Sequence, residues 1–404
     1  MTRAASDIGK GLASARQARP IRRAERIHVL GAAGAGASAA VLLAHRAGAD
    51  VSGCDPGGQT PYTAALLEAG IPLVWQHDVA HVNRAAAERP ERLAVTKALT
   101  AVDPDHPELQ AAHRLGIPTE PWQQLVADAA ATTGQRLVAV AGTHGKSTTS
   151  GWLVDLLVRA GRDPSAFVGA LLDAALTGGT PSTARWGSGD VFVVEADEYA
   201  GNFDPYRPDV IALLNAEWDH PDVFADADAV YDAFANWIRA ADGATLVANV
   251  ADDGVRHVLE RLTDWPGTVI RLDDTPLPFV VGLPGPANAA NARVVAGVAR
   301  VLGVADADIA SSLTQFGGVG RRLELKGEVN GVTVLDDYGH HPTAIAKTIQ
   351  AVREKYPDRR LWAVYEPLTF HRTAAMLEQF ADVLKGADEV AIADIWAGRD
   401  PDTT

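Results

Sequence analysis

What this chain has least of is cysteine. Cys54 is the only one in 404 residues, so no disulfide can form within the chain and a cysteine-rich metal site is excluded. A lone thiol suits a reducing compartment, and the expected location is the cytoplasm. Long apolar runs are also missing. The stretch from Ala39 to Ala44 stops at His45 and Arg46, well short of the roughly 20 apolar residues that a membrane span needs. Positive charge is in deficit, with 36 Lys and Arg against 51 Asp and Glu and a net charge of −15. That argues against a general nucleic-acid binder, which presents a basic face to phosphates. It leaves room for a local basic pocket around a small phosphorylated ligand. No short-period repeat and no long low-complexity tract breaks the chain.

What remains is the composition of a globular protein, 47% hydrophobic and 22% charged, with length for two or three domains. Residues 1–24 differ from the rest. They carry Arg3, Lys10, Arg16, Arg19, Arg22 and Arg23 against one acid, Asp7. A transit peptide can have this composition, but the expectation here is a disordered leader.

From residue 25 the pattern is α/β. A short strand at Arg26 to Leu30 runs into Gly31, Gly34 and Gly36, then a helix from Ala37 to Ala47 and a second strand from Asp50 to Cys54, ending at Asp55. This is a βαβ opening with a glycine-rich first turn. The glycine order is G-x-x-G-x-G rather than the dinucleotide G-x-G-x-x-G, so a nicotinamide cofactor is weakly supported. Glycines let a backbone approach a phosphate at a helix N-terminus; a tight turn without ligand has the same composition.

A second α/β region begins with the apolar run Leu137 to Ala141, followed by Gly142, Thr143, His144, Gly145, Lys146, Ser147 and Thr148, and then a helix from Thr149 to Ala160. Strands at Val191 to Val194 and Val210 to Leu214 end in Glu195, Asp197 and Glu198, and in Asn215. Polar residues therefore gather at the carboxyl edge of a parallel sheet, where open α/β sheets bind ligands. A third region starts after Arg321 and Arg322. Its strand from Val332 to Leu335 leads into Asp336, Asp337, His340 and His341, a helix from Ala344 to Glu354, and strands at Leu361 to Val364 and Glu389 to Ala393. This region is short for a complete α/β domain.

The segment Gly142 to Thr148 carries the strongest chemistry. Between a strand and a helix it reads as a phosphate loop, whose backbone N–H groups cradle phosphate oxygens. Lys146 can reach the outer phosphates, and the Ser147 hydroxyl can ligate Mg²⁺. Val140 stands where the longer motif has glycine, so this is a compact variant. One carboxylate of Glu195, Asp197 and Glu198 suits Mg²⁺. His220 suits that hard ion less. Asp336, Asp337, His340 and His341 could contact phosphate or substrate carboxylate or move a proton, or form a solvated turn. Arg321, Arg322 and Arg372 are candidate clamps for phosphate or carboxylate.

Together these motifs resemble the Mur ligase family from about Ile27 onward. Ile27 to Ser38 is similar to its UDP-binding opening and Ala141 to Ser147 to its ATP loop. Glu195 to Glu198, Asn215 to His220 and Asp336 to Pro342 are similar to its metal and substrate motifs. The resemblance implies an ATP-dependent ligase that joins an amino acid, L-alanine by the nearest likeness, to UDP-N-acetylmuramate through an acyl phosphate. A ligase that attaches the peptide L-alanyl-γ-D-glutamyl-diaminopimelate to the same sugar shares the motifs. A degenerate nucleotide binder is the alternative from another class.

The implied organisation is a Rossmann-like UDP-sugar domain over residues 25–120, a central ATPase-like parallel sheet over 121–322, and a shortened, possibly incomplete Rossmann-like ligase domain over 323–404. The implied assembly is a monomer or homodimer. The implied ATP site is Gly142 to Thr148 with Asn288, Asn291, Arg322 and Asp337. Ser147, Glu195 and His220 would serve Mg²⁺. Lys146, Glu195, His220 and His341 would form the catalytic set. Gly31, Gly34, Gly36, Ser38, Asp55, His77 and Arg372 would contact the substrates. Three positions depart from the family pattern. Ala287 stands where the family usually has His, and Leu368 and Thr369 stand where it has His and Arg. The missing His at Ala287 bears on the adenine contact, and the one missing Arg weakens the hold on a carboxylate or phosphate by about 1.5–3 kcal/mol where that contact is charge-assisted.

Overall fold

The computed structural model describes residues 4–398 and Asp400. The chain divides into two compact units. One holds the described residues up to Val140 together with Gly161–Val210; the other holds Ala141–Ala160 and the chain from Ile211 onward.

In the first unit, Arg26–Leu30 (β1), Asp50–Cys54 (β2), Leu73–Val74 (β3), Arg92–Val95 (β4) and Thr119–Pro121 (β5) form a sheet in the order β3-β2-β1-β4-β5. Every neighbouring pair is parallel. Ile27, Val29 and Leu30 are buried, the continuous apolar run of a strand covered on both faces. The strand order reverses between β1 and β4, so the turn after β1 sits at a switch point, where this topology opens a crevice. Gly31 has φ +84, and a Cβ there would lie 2.4 Å from Thr96 Cγ2. The helix Ala35–Arg46 starts two residues earlier than the apolar pattern suggests, because Gly34 serves as its N-cap. Its buried face packs on the helix Trp122–Thr133.

The same unit carries Arg136–Ala141 (β6), Ser165–Leu172 (β7), Ser182–Arg185 (β8) and Val191–Ala196 (β9), in the order β6-β9-β7-β8. β7 runs parallel to β9 and antiparallel to β8.

The expected disordered leader is corrected by the structure over its described part, residues 4–24. Ile8 and Ile21 are buried. Arg16 pairs with Glu120 at 3.0 Å and with Asp128 at 2.6 Å, and Arg19 pairs with Glu25 at 2.5 Å. Arg92 reaches Glu25 at 2.9 Å and both Glu120 and Asp128 at 2.6 Å. Burial works against the charge on Glu25, but the hydrogen bond from Arg19 helps hold its carboxyl down at about 2. Arg16 and Arg19, two of the basic residues that suggested a loose segment, are counter-ions to three buried carboxylates, and composition alone does not show where counter-ions lie.

In the second unit, Val210–Leu213 (β10), Thr245–Asn249 (β11) and Thr268–Leu272 (β12) follow the order β12-β11-β10. The helix Pro286–Val301 packs on the helix Lys146–Arg159 and on β11. Trp152 is fully buried in that layer and stacks on Phe316 at 5.0 Å. Further along, Glu324–Val329 (β13) and Val332–Asp336 (β14) form an antiparallel hairpin. Its turn residues Asn330 and Gly331 both have positive φ, 51° and 76°, as a two-residue primed turn requires. Trp362–Tyr365 (β15) and Glu389–Ile392 (β16) pair in parallel. Ile345, Tyr365, Met376, Phe380 and Leu384 form a small core beside them. Among the described residues, no helix is long and apolar enough to cross a membrane.

Candidate active site

The second unit contains the phosphate loop. β6 ends at Ala141, and the helix Lys146–Arg159 begins directly after Gly145. Gly145 has φ +83, and a Cβ on it would stand 2.7 Å from Asn291 Oδ1. Gly142 has φ +141 and packs against the Asn215 backbone. Only glycine fits both places. The free N–H groups of the first helical turn and their partial positive charge make this an anion site.

The segment after β10 holds the loop from the other side. Asn215 Oδ1 accepts from the His144 N–H at 2.8 Å, and Asn215 Nδ2 donates to the His144 carbonyl at 3.0 Å. The Thr143 hydroxyl accepts from the Glu217 N–H at 2.8 Å and donates to the Glu217 carbonyl at 3.1 Å. His144 Nε2 lies 3.3 Å from the Glu217 carboxylate. Burial opposes that charge, yet the His144 contact keeps Glu217 at about 2. Lys146 Nζ donates to the Gly142 carbonyl at 2.7 Å and lies 3.3 Å from that of Thr143, which holds the ammonium across the loop. The Arg322 guanidinium donates to Ser147 Oγ at 3.0 Å and lies 5.2 Å from the centre of the Tyr338 ring. Two cations thus face the loop.

Beside the loop is a cavity of about 230 Å³ lined by residues that include His144, Gly145, Asn249, Asn288, Asn291 and Arg322. Ala287 and Asp337 also line it. Asn249 is buried and donates to the Leu214 carbonyl at 2.8 Å, while its Oδ1 has no partner. A buried amide oxygen without a donor is costly, and a purine amino group would satisfy it. The residues present therefore fit ATP. Asn249 ends β11 as Asn215 follows β10, so the rule of polar residues at carboxyl strand ends could have identified it.

Several expected site residues have structural tasks. Asp337 accepts from the N–H groups of Gly339 and Leu323 and from the Thr348 hydroxyl. It thereby fixes a turn in which Arg321 and Leu323 have positive φ. His341 is the N-cap of the helix Pro342–Lys355. Its Nδ1 accepts from the Thr343 N–H, and its Nε2 donates to the Trp218 carbonyl at 3.2 Å. Burial, and then the nearby His144, lower its pKa. In this conformation both ring nitrogens of His341 are engaged by backbone groups. Arg372 is buried, donating from Nε to Asp219 at 2.9 Å and from Nη2 to His220 Nδ1 at 3.2 Å. Burial opposes the Asp219 charge, but His220 and Arg372 hold its carboxyl well below the usual range.

The remaining expected positions lie in the first unit. The Glu195 carboxylate accepts the Gly169 N–H at 2.7 Å. Asp55 accepts from the N–H groups of Ala33 and Gly57, both at 2.9 Å, and so shapes the glycine turn. Ser38 is buried, its hydroxyl bonded to the Ala35 carbonyl and near Thr183. Gly34 has open space where a Cβ would go, whereas a Cβ on Gly36 would overlap Trp122. Gly36 is therefore a helix-packing residue. His77 lies 3.5 Å from Glu108.

Comparison with known proteins bears on the whole chain. Residues 26–133 match the model of the Mur ligase family, catalytic domain, and residues 321–403 match that of the Mur ligase, glutamate ligase domain. The chain is 34% identical to the UDP-N-acetylmuramate–L-alanine ligase of Frankia casuarinae, over 94% of this chain and 85% of that one. It is 36% identical to the protein of the same name from Arthrobacter sp., over 93% and 82%. Among solved structures, the UDP-N-acetylmuramate-alanine ligase MurC of Thermotoga maritima is 24% identical with TM-score 0.74, covering 93% of this chain and 86% of that chain. The murein peptide ligase Mpl of Psychrobacter arcticus is 23% identical with TM-score 0.69, covering 92% and 95%. Likeness at that identity concerns the fold. The matches over nearly the full length, at 34% and 36% identity, show that this chain belongs to the Mur ligase family.

Proposed function

We propose that this chain joins L-alanine to UDP-N-acetylmuramate at the expense of ATP, in the synthesis of peptidoglycan precursors. The observation that carries the reading is the loop Gly142 to Ser147, with a helix N-terminus, Lys146 and Arg322 turned on one place, in a chain at least a third identical to ligases of that name.

A carboxylate does not condense with an amine in water, because its oxygen is a poor leaving group. ATP supplies the phosphoryl group that turns the lactyl carboxylate into an acyl phosphate. The loop N–H groups and Lys146 hold the phosphates, and Arg322 neutralises charge that develops as the phosphoryl group moves. The amine then attacks the acyl carbon, phosphate leaves and the amide forms. Asn249, Asn288 and Asn291 are the polar groups available to the nucleobase. Ser147, beside the loop, offers an oxygen donor of the kind Mg²⁺ favours. His220 fits less well, since its Nδ1 already accepts from Arg372. The glycine turn Gly31 to Gly36 would receive the UDP moiety. The division at residues 25–120, 121–322 and 323–404 remains the organisation we propose for these tasks.

The test is phosphate release from ATP in the presence of UDP-N-acetylmuramate and a panel of amino acids and peptides. L-Alanine-dependent turnover is expected. Turnover only with a tripeptide would assign the chain to the peptide-adding ligases. Nucleotide binding without turnover would make it a binder.

A further inference from the structure

The first unit holds a side-chain cluster that the ligase chemistry does not use. His28 on β1, Cys54 at the end of β2, His81 on the short 3-10 helix Val79–His81 and Glu108 in the first turn of the helix Pro107–Arg114 converge on one point. All four are buried, and their ligand atoms lie within 4.8 Å of one another. His28 Nε2 is 3.3 Å from Cys54 Sγ and 3.8 Å from Glu108 Oε2. Glu108 Oε2 is 3.8 Å from Cys54 Sγ and 3.3 Å from His81 Nδ1.

Those four separations, 3.3–3.8 Å, lie close to the edge lengths of a coordination tetrahedron. Zinc bound at about 2.0–2.1 Å to nitrogen and oxygen and about 2.3 Å to sulfur places its ligands about 3.3–3.5 Å apart. The outer contacts aim the same atoms inward. The Ser52 hydroxyl sits 2.9 Å from His28 Nδ1, leaving Nε2 toward the cluster. The Asp78 N–H donates to Glu108 Oε1 at 2.8 Å, leaving Oε2 toward it. Such contacts orient metal ligands. The charge also balances, since one thiolate, one carboxylate and two neutral imidazoles match a dication. Burial, and then the Glu108 charge, push the Cys54 thiol up; a coordinated metal reverses that.

A second grouping, His77 and His106 with Glu108, borders the first. It is the weaker candidate, because the Oε1 that faces His77 already accepts from Asp78 and the His77 side chain is 20% exposed. We infer that His28, Cys54, His81 and Glu108 form a tetrahedral transition-metal site of the zinc type. Four protein ligands close the coordination sphere, which marks a structural rather than a catalytic metal. It would tie the ends of β1 and β2 to the segments that carry His81 and Glu108.

The test uses the full chain, stripped with a chelator and titrated with Co²⁺. The expected result is one Co²⁺ per chain, with a sulfur-to-cobalt charge-transfer band in the near ultraviolet and the intense visible bands of tetrahedral cobalt, all lost on adding Zn²⁺. Cys54→Ser should lose the charge-transfer band, and His81→Ala and Glu108→Gln should lose stoichiometric binding. His106→Ala should keep the spectrum. Zn²⁺ should raise the unfolding midpoint of the stripped wild-type chain but not that of Cys54→Ser. A folded, stripped wild-type chain with no thiolate band, or one with only the weak spectrum of octahedral cobalt, would overturn the inference whatever the variants do. So would unchanged binding in His81→Ala.

Discussion

Replacing Gly145 with alanine tests the loop geometry directly. Gly145 sits at φ +83 with ψ −5, and a Cβ there would meet Asn291 Oδ1 at 2.7 Å. An L-residue in the left-handed region costs about 1–2 kcal/mol. Asn291 must also shift, and it stands on a buried stretch of the helix Pro286–Val301, which adds roughly 1 kcal/mol if one hydrogen-bonding arrangement is lost. The expected destabilisation is therefore about 2–3 kcal/mol, from the strain and the hydrogen bond together. Urea unfolding reads it as a lower midpoint at unchanged slope. The same change moves the first N–H groups of the anion site, so affinity for a fluorescent ATP analogue should fall at least about tenfold, the equivalent of 1.4 kcal/mol. Gly34→Ala is the control, since Gly34 has φ −73 and open space at the Cβ position; as an N-cap change alone it should cost no more than about 1 kcal/mol, less than Gly145→Ala. Gly145→Ala with unchanged stability and unchanged nucleotide affinity would refute the reasoning.

Other predictions follow from buried charge and from capping. Arg92→Leu removes the buried partner that Glu25, Glu120 and Asp128 share and leaves them Arg19 and Arg16; it should cost about 1.5–3 kcal/mol, as losing charge-assisted bonds does, and a loss below 1 kcal/mol in urea unfolding would contradict the shared role. Glu25 is depressed from 4.5 to about 2 in the folded chain. Its stabilising contribution is complete above pH 4.5 and disappears as pH falls toward 2. Glu25→Gln should flatten the pH dependence of stability in that window, and an unchanged slope would count against the ion pair. His341→Ala should lose about 1 kcal/mol of stability through the helix cap and keep most of its kcat. A hundredfold loss of kcat without loss of stability would return His341 to the catalytic set.

The sequence showed much of this architecture because the decisive signals are local. β1, β2, β6 and β14 lie within a residue of where their apolar runs place them, and the phosphate loop lies between a strand and a helix as its glycines require. What escaped was long-range. The basic stretch before residue 25 looked loose because its partners Glu120 and Asp128 lie about a hundred positions away. The capping task of His341 was hidden too, because a histidine at the end of a strand motif does not reveal which backbone groups its nitrogens meet. The cluster of His28, Cys54, His81 and Glu108 has no spacing motif, since two strands, a turn and a helix each supply one member. Asn249 follows the rule that pointed to Asn215, at the end of a strand whose apolar run is shorter.

The central claim is that Lys146 and the turn before it hold the triphosphate while the sugar acid is activated. Formation of ADP dependent on both UDP-N-acetylmuramate and L-alanine, compared between the wild-type chain and Lys146→Ala at saturating ATP, tests it most directly. The account predicts a fall of about 10²–10³-fold, the usual loss when one preorganised charge is removed from a developing anion. Full alanine-dependent ADP formation by the variant would contradict it.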